Sequence, residues 1–114
     1  MTDVPLFDVR CSTRDGGVVV AATGDIDLSS SPELRAALRS SEAQAPVVVL
    51  DLRAVTFMDS SGLGVIVGHN KRAREDGFRF AVAVSGAPEV ERILQLSGLG
   101  ASLDICATPD DVLG

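Results

Sequence analysis

The spacing of hydrophobic and polar positions changes character several times along the chain. Phe7, Val9 and Cys11 alternate with polar neighbours, Asp15-Gly16-Gly17 interrupts, and Val18 to Ala22 runs apolar. This pattern predicts a hairpin of two strands about a glycine turn. After "GDIDLSSSP" the period lengthens, with Leu34, Ala37 and Leu38 at helical spacing behind Ser31 as cap and Pro32 at the first helical position. Val47 to Leu50 is an uninterrupted apolar run, the mark of a central strand covered on both faces. A second helix is expected from about Ser61 to Asp76, stopped by Gly77, and "FRFAVAV" is expected to be another strand. Val90, Ile93 and Leu94 share a helical face between Pro88 and Gly98, Leu103 to Cys106 suits a last short strand, and "TPDDVLG" opens a short helix. The order β-β-α-β-α-β-α-β-(short α) predicts a single α/β domain with a mostly parallel sheet, right-handed crossovers and an antiparallel first strand. "SGLG" occurs at 61–64 and again at 97–100, but the first copy opens a helix and the second closes one, so no repeat is inferred.

Composition narrows the function classes. A chain of 114 residues with 46% hydrophobic and 23% charged residues suits one globular domain. Its net charge of −6, with basic residues concentrated only in "KRAR" at 71–74, argues against a nucleic-acid partner and reads as the solvated end of a helix. No apolar run approaches the ~20 residues of a membrane span, and "MTDVPLFDVR" lacks the basic start and apolar segment of a secretion signal, so the expected location is the cytoplasm. Cys11 and Cys106 are far apart without metal-type spacing and are expected to be reduced core residues. "GLGVIVG" is one residue too long for the dinucleotide fingerprint and no G-x-x-x-x-G-K occurs, so neither a cofactor nor a metal is expected.

The chemistry concentrates in "FMDSSGLG", residues 57–64. Asp59 and Ser60 are both good helix caps, a role worth about 1 kcal/mol. Capping alone does not account for three small polar groups at the C-terminal end of a central strand, the edge at which α/β sheets present their sites. A nucleophilic serine is disfavoured, because the sole histidine, His69, lies nine residues after Ser60. That offset is about half a turn out of phase and about 13 Å further along the helix. Gly64 and Gly68 fall on one helical face with Ser61 and Val65. If Leu63, Ile66 and Val67 cover the sheet, that small, nearly uncharged stripe faces outward as a protein-docking surface. On this reading a lysine at Val65 leaves folding nearly untouched. The alternative is that the glycines permit close packing of the helix on the sheet.

"VVVLDLRAVTFMDSSGLGVIVGHNKRAREDG" resembles the signature segment of the STAS domain in bacterial anti-sigma-factor antagonists. "ATGDIDLSSSPELRAAL" is similar to that family's acidic loop and first helix, and "VERILQLSGLGASLDI" to its third helix and last strand. The resemblance implies a STAS domain over 1–114 without catalysis of its own. It implies that Ser60 is phosphorylated by an anti-sigma factor that is itself a serine kinase, that the unphosphorylated form sequesters this kinase and frees a sigma factor, and that a PP2C-type phosphatase reverses the modification. By position Asp27 and Asp59 match the family's aspartates, and Asp25 stands where glutamate is more usual. The partner surface it implies comprises Asp25, Asp27, Asp59, Ser60, Ser61, Gly62, Gly64, Val65 and Gly68. A STAS module in another signalling or transport assembly, with the phosphosite unused, is the alternative.

Overall fold

The computed structural model describes residues 6–113; residues 1–5, part of the segment read against a secretion signal, lie outside it. The chain runs β1 (Asp8–Arg14), β2 (Gly17–Ile26), α1 (Ser31–Glu42), β3 (Val47–Met58), α2 (Ser60–Asp76), β4 (Arg79–Ala83), α3 (Pro88–Ser97), a 3-10 turn (Leu99–Ser102), β5 (Asp104–Cys106) and α4 (Asp110–Leu113). The β1–β2 turn needs positive φ at two successive residues, and Asp15 (47°) with Gly16 (80°) supplies them, so Gly17 already pairs with Arg14.

The five strands lie side by side in chain order, β1 antiparallel to β2 and all others parallel. This is the predicted fold class. Strand order that advances one step per crossover, with every crossover right-handed, puts all three connecting helices on the same face of the sheet. The packing follows: Val18, Val20, Val48, Leu50, Phe80 and Val82 face a core shared with Leu34 and Leu38 of α1, Ile66 of α2, and Val90 and Leu94 of α3. The intervening residues Val19, Val49, Ala81 and Ala83 face the other way, under Leu113 of α4. Central strand β3 opens with an unbroken apolar run, Val47 to Leu50, because both of its faces are covered there. Among the described residues no helix is long and apolar enough to cross a membrane.

Two expectations are corrected here. The cap of α1 is Ser30, one residue earlier than expected, and its hydroxyl caps no helical N–H because it accepts from Asp27 N–H (2.9 Å) and donates to the Asp25 carbonyl (2.9 Å). Cys11 is exposed rather than in the core, on edge strand β1, where its sulfur accepts from the Ser41 hydroxyl of α1 at 3.7 Å; Cys106 is half-buried, and both thiols are free.

Candidate functional site

Strands β2 and β3 end together. Asp25 pairs with Phe57, Ile26 with Met58, and the Asp59 N–H donates to the Ile26 carbonyl at 3.1 Å. The starts of α1 and α2 therefore emerge side by side from one sheet edge, and both helices run away from it in parallel.

Each start is organised by an aspartate. Asp27 accepts from Ser29 N–H (3.0 Å), Ser29 Oγ (2.7 Å) and Ser30 N–H (3.1 Å). Asp59 is the N-cap of α2 and accepts from both the N–H (2.8 Å) and the hydroxyl (2.5 Å) of Ser61. The Ser29 hydroxyl holds the Asp27 carboxyl below its ordinary range, and the Ser61 hydroxyl does the same for Asp59, against the opposing charge of Asp27 nearby. Both are ionised at neutral pH. Asp25 stands apart from this pair, with its carboxylate accepting from the Thr56 hydroxyl at 2.8 Å.

The two serines of the pair differ. Ser61 is half-buried and its hydroxyl is committed to Asp59. Ser60 is exposed, and among the described residues no hydrogen bond uses its hydroxyl. The first turn of α2 thus offers one free nucleophilic oxygen, with fixed carboxylates on either side.

Helix α2 is rotated from the expected orientation. Its buried face is Gly62, Val65, Ile66, His69 and Ala73, with Val65 only 3% exposed; Gly64, Val67 and Gly68 face outward. Val65 and Gly62 therefore do not belong to an outward surface, and Val67 does. The cause is Gly62, where a Cβ would lie 2.6 Å from both Ile26 Cγ2 and Met58 Cγ. Only glycine lets the helix sink onto the strand ends at that point. At Gly64 and Gly68, by contrast, a Cβ would meet nothing within 4 Å. Gly64→Ala should accordingly raise stability by about 0.5 to 1 kcal/mol through helix propensity. Gly62→Ala should lower it by about 1 to 3 kcal/mol through overpacking. Urea midpoints of the two variants check this opposition, and like effects at both positions would contradict it.

Sequence reading missed further members of this edge. Leu28, in the loop between β2 and α1, is 79% exposed, and Phe57 beside Asp25 is 45% exposed. Large apolar groups left in water next to a polar cluster are the material of a docking surface. A detectable signal was present: Leu28 sits alone among polar residues in "GDIDLSSS".

A family model for the STAS domain matches residues 8–112. The anti-sigma F factor antagonist of Paenibacillus polymyxa is 37% identical over 97 residues, spanning 82% of this chain and 80% of that protein. The crystal structure of an anti-sigma factor antagonist from Mycobacterium paratuberculosis superimposes with a TM-score of 0.83 at 30% identity, covering 93% of this chain and 90% of that one. The anti-sigma factor antagonist SpoIIAA in its unphosphorylated form gives a TM-score of 0.71 at 25% identity, covering 93% and 91%. The phosphorylated form of the Bacillus SpoIIAA shares the fold, with a TM-score of 0.66 at 23% identity over 93% and 95%. A family-model match across residues 8–112, nearly the whole chain, places this protein in the STAS-domain family.

Proposed function

We propose that this protein is an anti-sigma-factor antagonist whose residues 1–114 act as one STAS domain in the cytoplasm. In its unphosphorylated form it binds an anti-sigma factor with serine-kinase activity and so releases a sigma factor; phosphorylation of Ser60 ends the binding, and a PP2C-type phosphatase restores it. The protein has no catalysis of its own. The observation that carries this reading is the contrast between the free, exposed Ser60 hydroxyl and the committed Ser61 hydroxyl at the start of α2. A hydroxyl at a helix N-terminus can enter a kinase active site, and the dipole tolerates the ~1.5 to 2 charges that phosphate adds. The names of the similar proteins, and the existence of a phosphorylated SpoIIAA, support the same reading.

The docking surface proposed is the edge bearing Asp25, Asp27, Asp59, Ser60 and Ser61, extended by Leu28 and Phe57 and by the outward stripe Gly64, Val67 and Gly68. Gly62 and Val65 contribute from beneath, by setting the depth and rotation of α2. The test is phosphate transfer. Incubated with ATP and anti-sigma kinases from the same cell, the protein should acquire a single phosphate that maps to Ser60. Phosphate on Ser61 instead, or on no hydroxyl with any kinase, would overturn the assignment and favour a STAS module in another assembly.

A further inference from the structure

The parallel course of α1 and α2 leaves a cavity of about 240 Å³ between them, one helical turn below the sheet edge. Arg35, Arg39 and Arg72 line it, together with Gly64, Gly68 and His69. Arg72 is engaged by Glu42 at 2.6 and 2.9 Å. Arg35 and Arg39, one turn apart on α1, pair with no carboxylate among the described residues. In a protein of net charge −6 this is a local excess of positive charge with one counter-ion for three guanidiniums.

The inner end of the cavity is a buried, incompletely satisfied polar group. His69 is 4% exposed and lies against Phe78 and Phe80, at ring distances of 5.3 and 4.7 Å, and its Nε2 finds no hydrogen-bond partner. Burial keeps the imidazole neutral, reinforced by Arg72 and Arg39 against the pull of Glu42. The Nε2 itself is shut off from solvent, so an occupant of the groove would lie against the exposed rim of the ring without pairing with that nitrogen. The rest of the lining is apolar, from the buried side chains of Leu38 and Val65. At Gly64 and Gly68 a Cβ would meet nothing within 4 Å, so both positions border open space at the groove.

We infer that the α1–α2 groove is a binding site for a small organic anion, with an oxyanion head held by Arg35 and Arg39 and a compact apolar body lying over Leu38, Val65 and the His69 ring. Guanidinium groups suit a carboxylate or phosphate because their planar N–H forks match two oxygens at once. The site does not depend on the regulatory reading, although its rim shares Gly64 and Gly68 with the surface proposed for the partner.

Titration of the full chain with phenyl phosphate, followed by proton–nitrogen NMR at constant pH and ionic strength, tests this. Saturable shifts are expected at Gly64, Gly68 and the His69 ring, with a dissociation constant of about 1 mM or tighter. Inorganic phosphate should bind at least about tenfold more weakly, because it lacks the apolar body. The Arg35→Gln/Arg39→Gln variant changes exposed side chains only and should fold normally, yet lose at least about tenfold in affinity. Gly68→Leu, which projects into open space, should block binding without unfolding. Ser60→Ala should bind phenyl phosphate like the parent chain. The inference is overturned by shifts that fail to saturate, by saturable binding indifferent to the arginine pair or to Gly68→Leu, by equal affinity for inorganic phosphate, or by shifts confined to the Ser60 turn. The same titration with a short acidic peptide distinguishes a partner's carboxylate: tighter binding of the peptide than of phenyl phosphate would overturn the small-molecule assignment.

Discussion

Val65→Lys should lower folding stability by about 3 kcal/mol, whereas Val67→Lys, two residues on, should change it by about 0.5 kcal/mol or less. Val65 is 3% exposed and packs in the shared core of the sheet and helices, while Val67 is 37% exposed on the opposite side of α2. Removing the valine forfeits roughly 1.5 to 3 kcal/mol of apolar burial. The ammonium that replaces it must either stay buried or extend its stem outward along the α1–α2 groove, where it meets Arg35, Arg39 and Arg72. Neither route recovers the loss. Urea unfolding of both variants measures the contrast, and binding supplies a second reading. Val67→Lys, though fully folded, should weaken association with the proposed anti-sigma-factor partner by placing a long charge in a flat contact. Equal stabilities for the two variants would mean that the helix faces the sheet differently.

Ser60→Asp should bind the anti-sigma factor about ten- to a hundredfold more weakly than the parent chain, a difference of about 1.4 to 2.8 kcal/mol. Ser60→Ala should bind normally and, because it cannot be inactivated, leave the sigma factor permanently free. The asymmetry follows from the charges already at the site. Asp27 and Asp59 are both ionised and already interact unfavourably, so a further negative group on the neighbouring exposed residue raises the repulsion across a docked interface. Aspartate adds about one charge and phosphate nearly two, so the phosphorylated chain should bind more weakly still. Raising ionic strength should recover part of the Ser60→Asp affinity, since exposed charges are screened within about 10 Å at 0.1 M salt. Calorimetric titration at low and high salt decides the mechanism. A defect indifferent to salt points to lost hydrogen bonds or a clash, and failure of Ser60→Ala to bind despite normal folding would make the hydroxyl itself a docking group.

Much of the architecture was readable because the apolar periods are long and clean. Val47 to Leu50 announced a strand buried on both sides, and Pro88 with Gly98 bracketed α3 as expected. What escaped reading had specific causes. The buried face of α2 runs through Gly62, Val65, Ile66, His69 and Ala73, at the spacing of an inward stripe. It contains a glycine and a histidine, which count as non-apolar, so the visibly hydrophobic Leu63, Ile66 and Val67 made the more persuasive stripe. A close approach such as that of Gly62 to Ile26 and Met58 is a tertiary fact with no local signature. The cap of α1 shifted because Ser30 serves the Asp27 loop, a competition that adjacent serines conceal. The 3-10 turn at Leu99–Ser102 is too short to show a period. At the site, residue types marked Asp59 and Ser60 as candidate helix caps and the family resemblance singled out Ser60, whereas the different hydrogen bonding of Ser60 and Ser61 became evident only from the structure.

On the proposed function, in which Ser60 is the phosphorylated residue, the rigidity of the α2 start bears on how the modifying enzyme would find its target. Asp59 fastens the first turn by two hydrogen bonds, and Gly62 seats it against two core side chains. Ser60 is therefore offered on a preformed helical corner, flanked by acids that arrive from a different part of the chain, rather than on an extended strand that could thread a cleft. A kinase or phosphatase acting there has to read a folded shape, and the linear stretch around the serine holds only part of the recognition code. Specificity among similar domains in one cell would then reside in surface topography distributed over two loops and a helix, where a few exposed substitutions can rewire pairing while the modified turn itself stays the same.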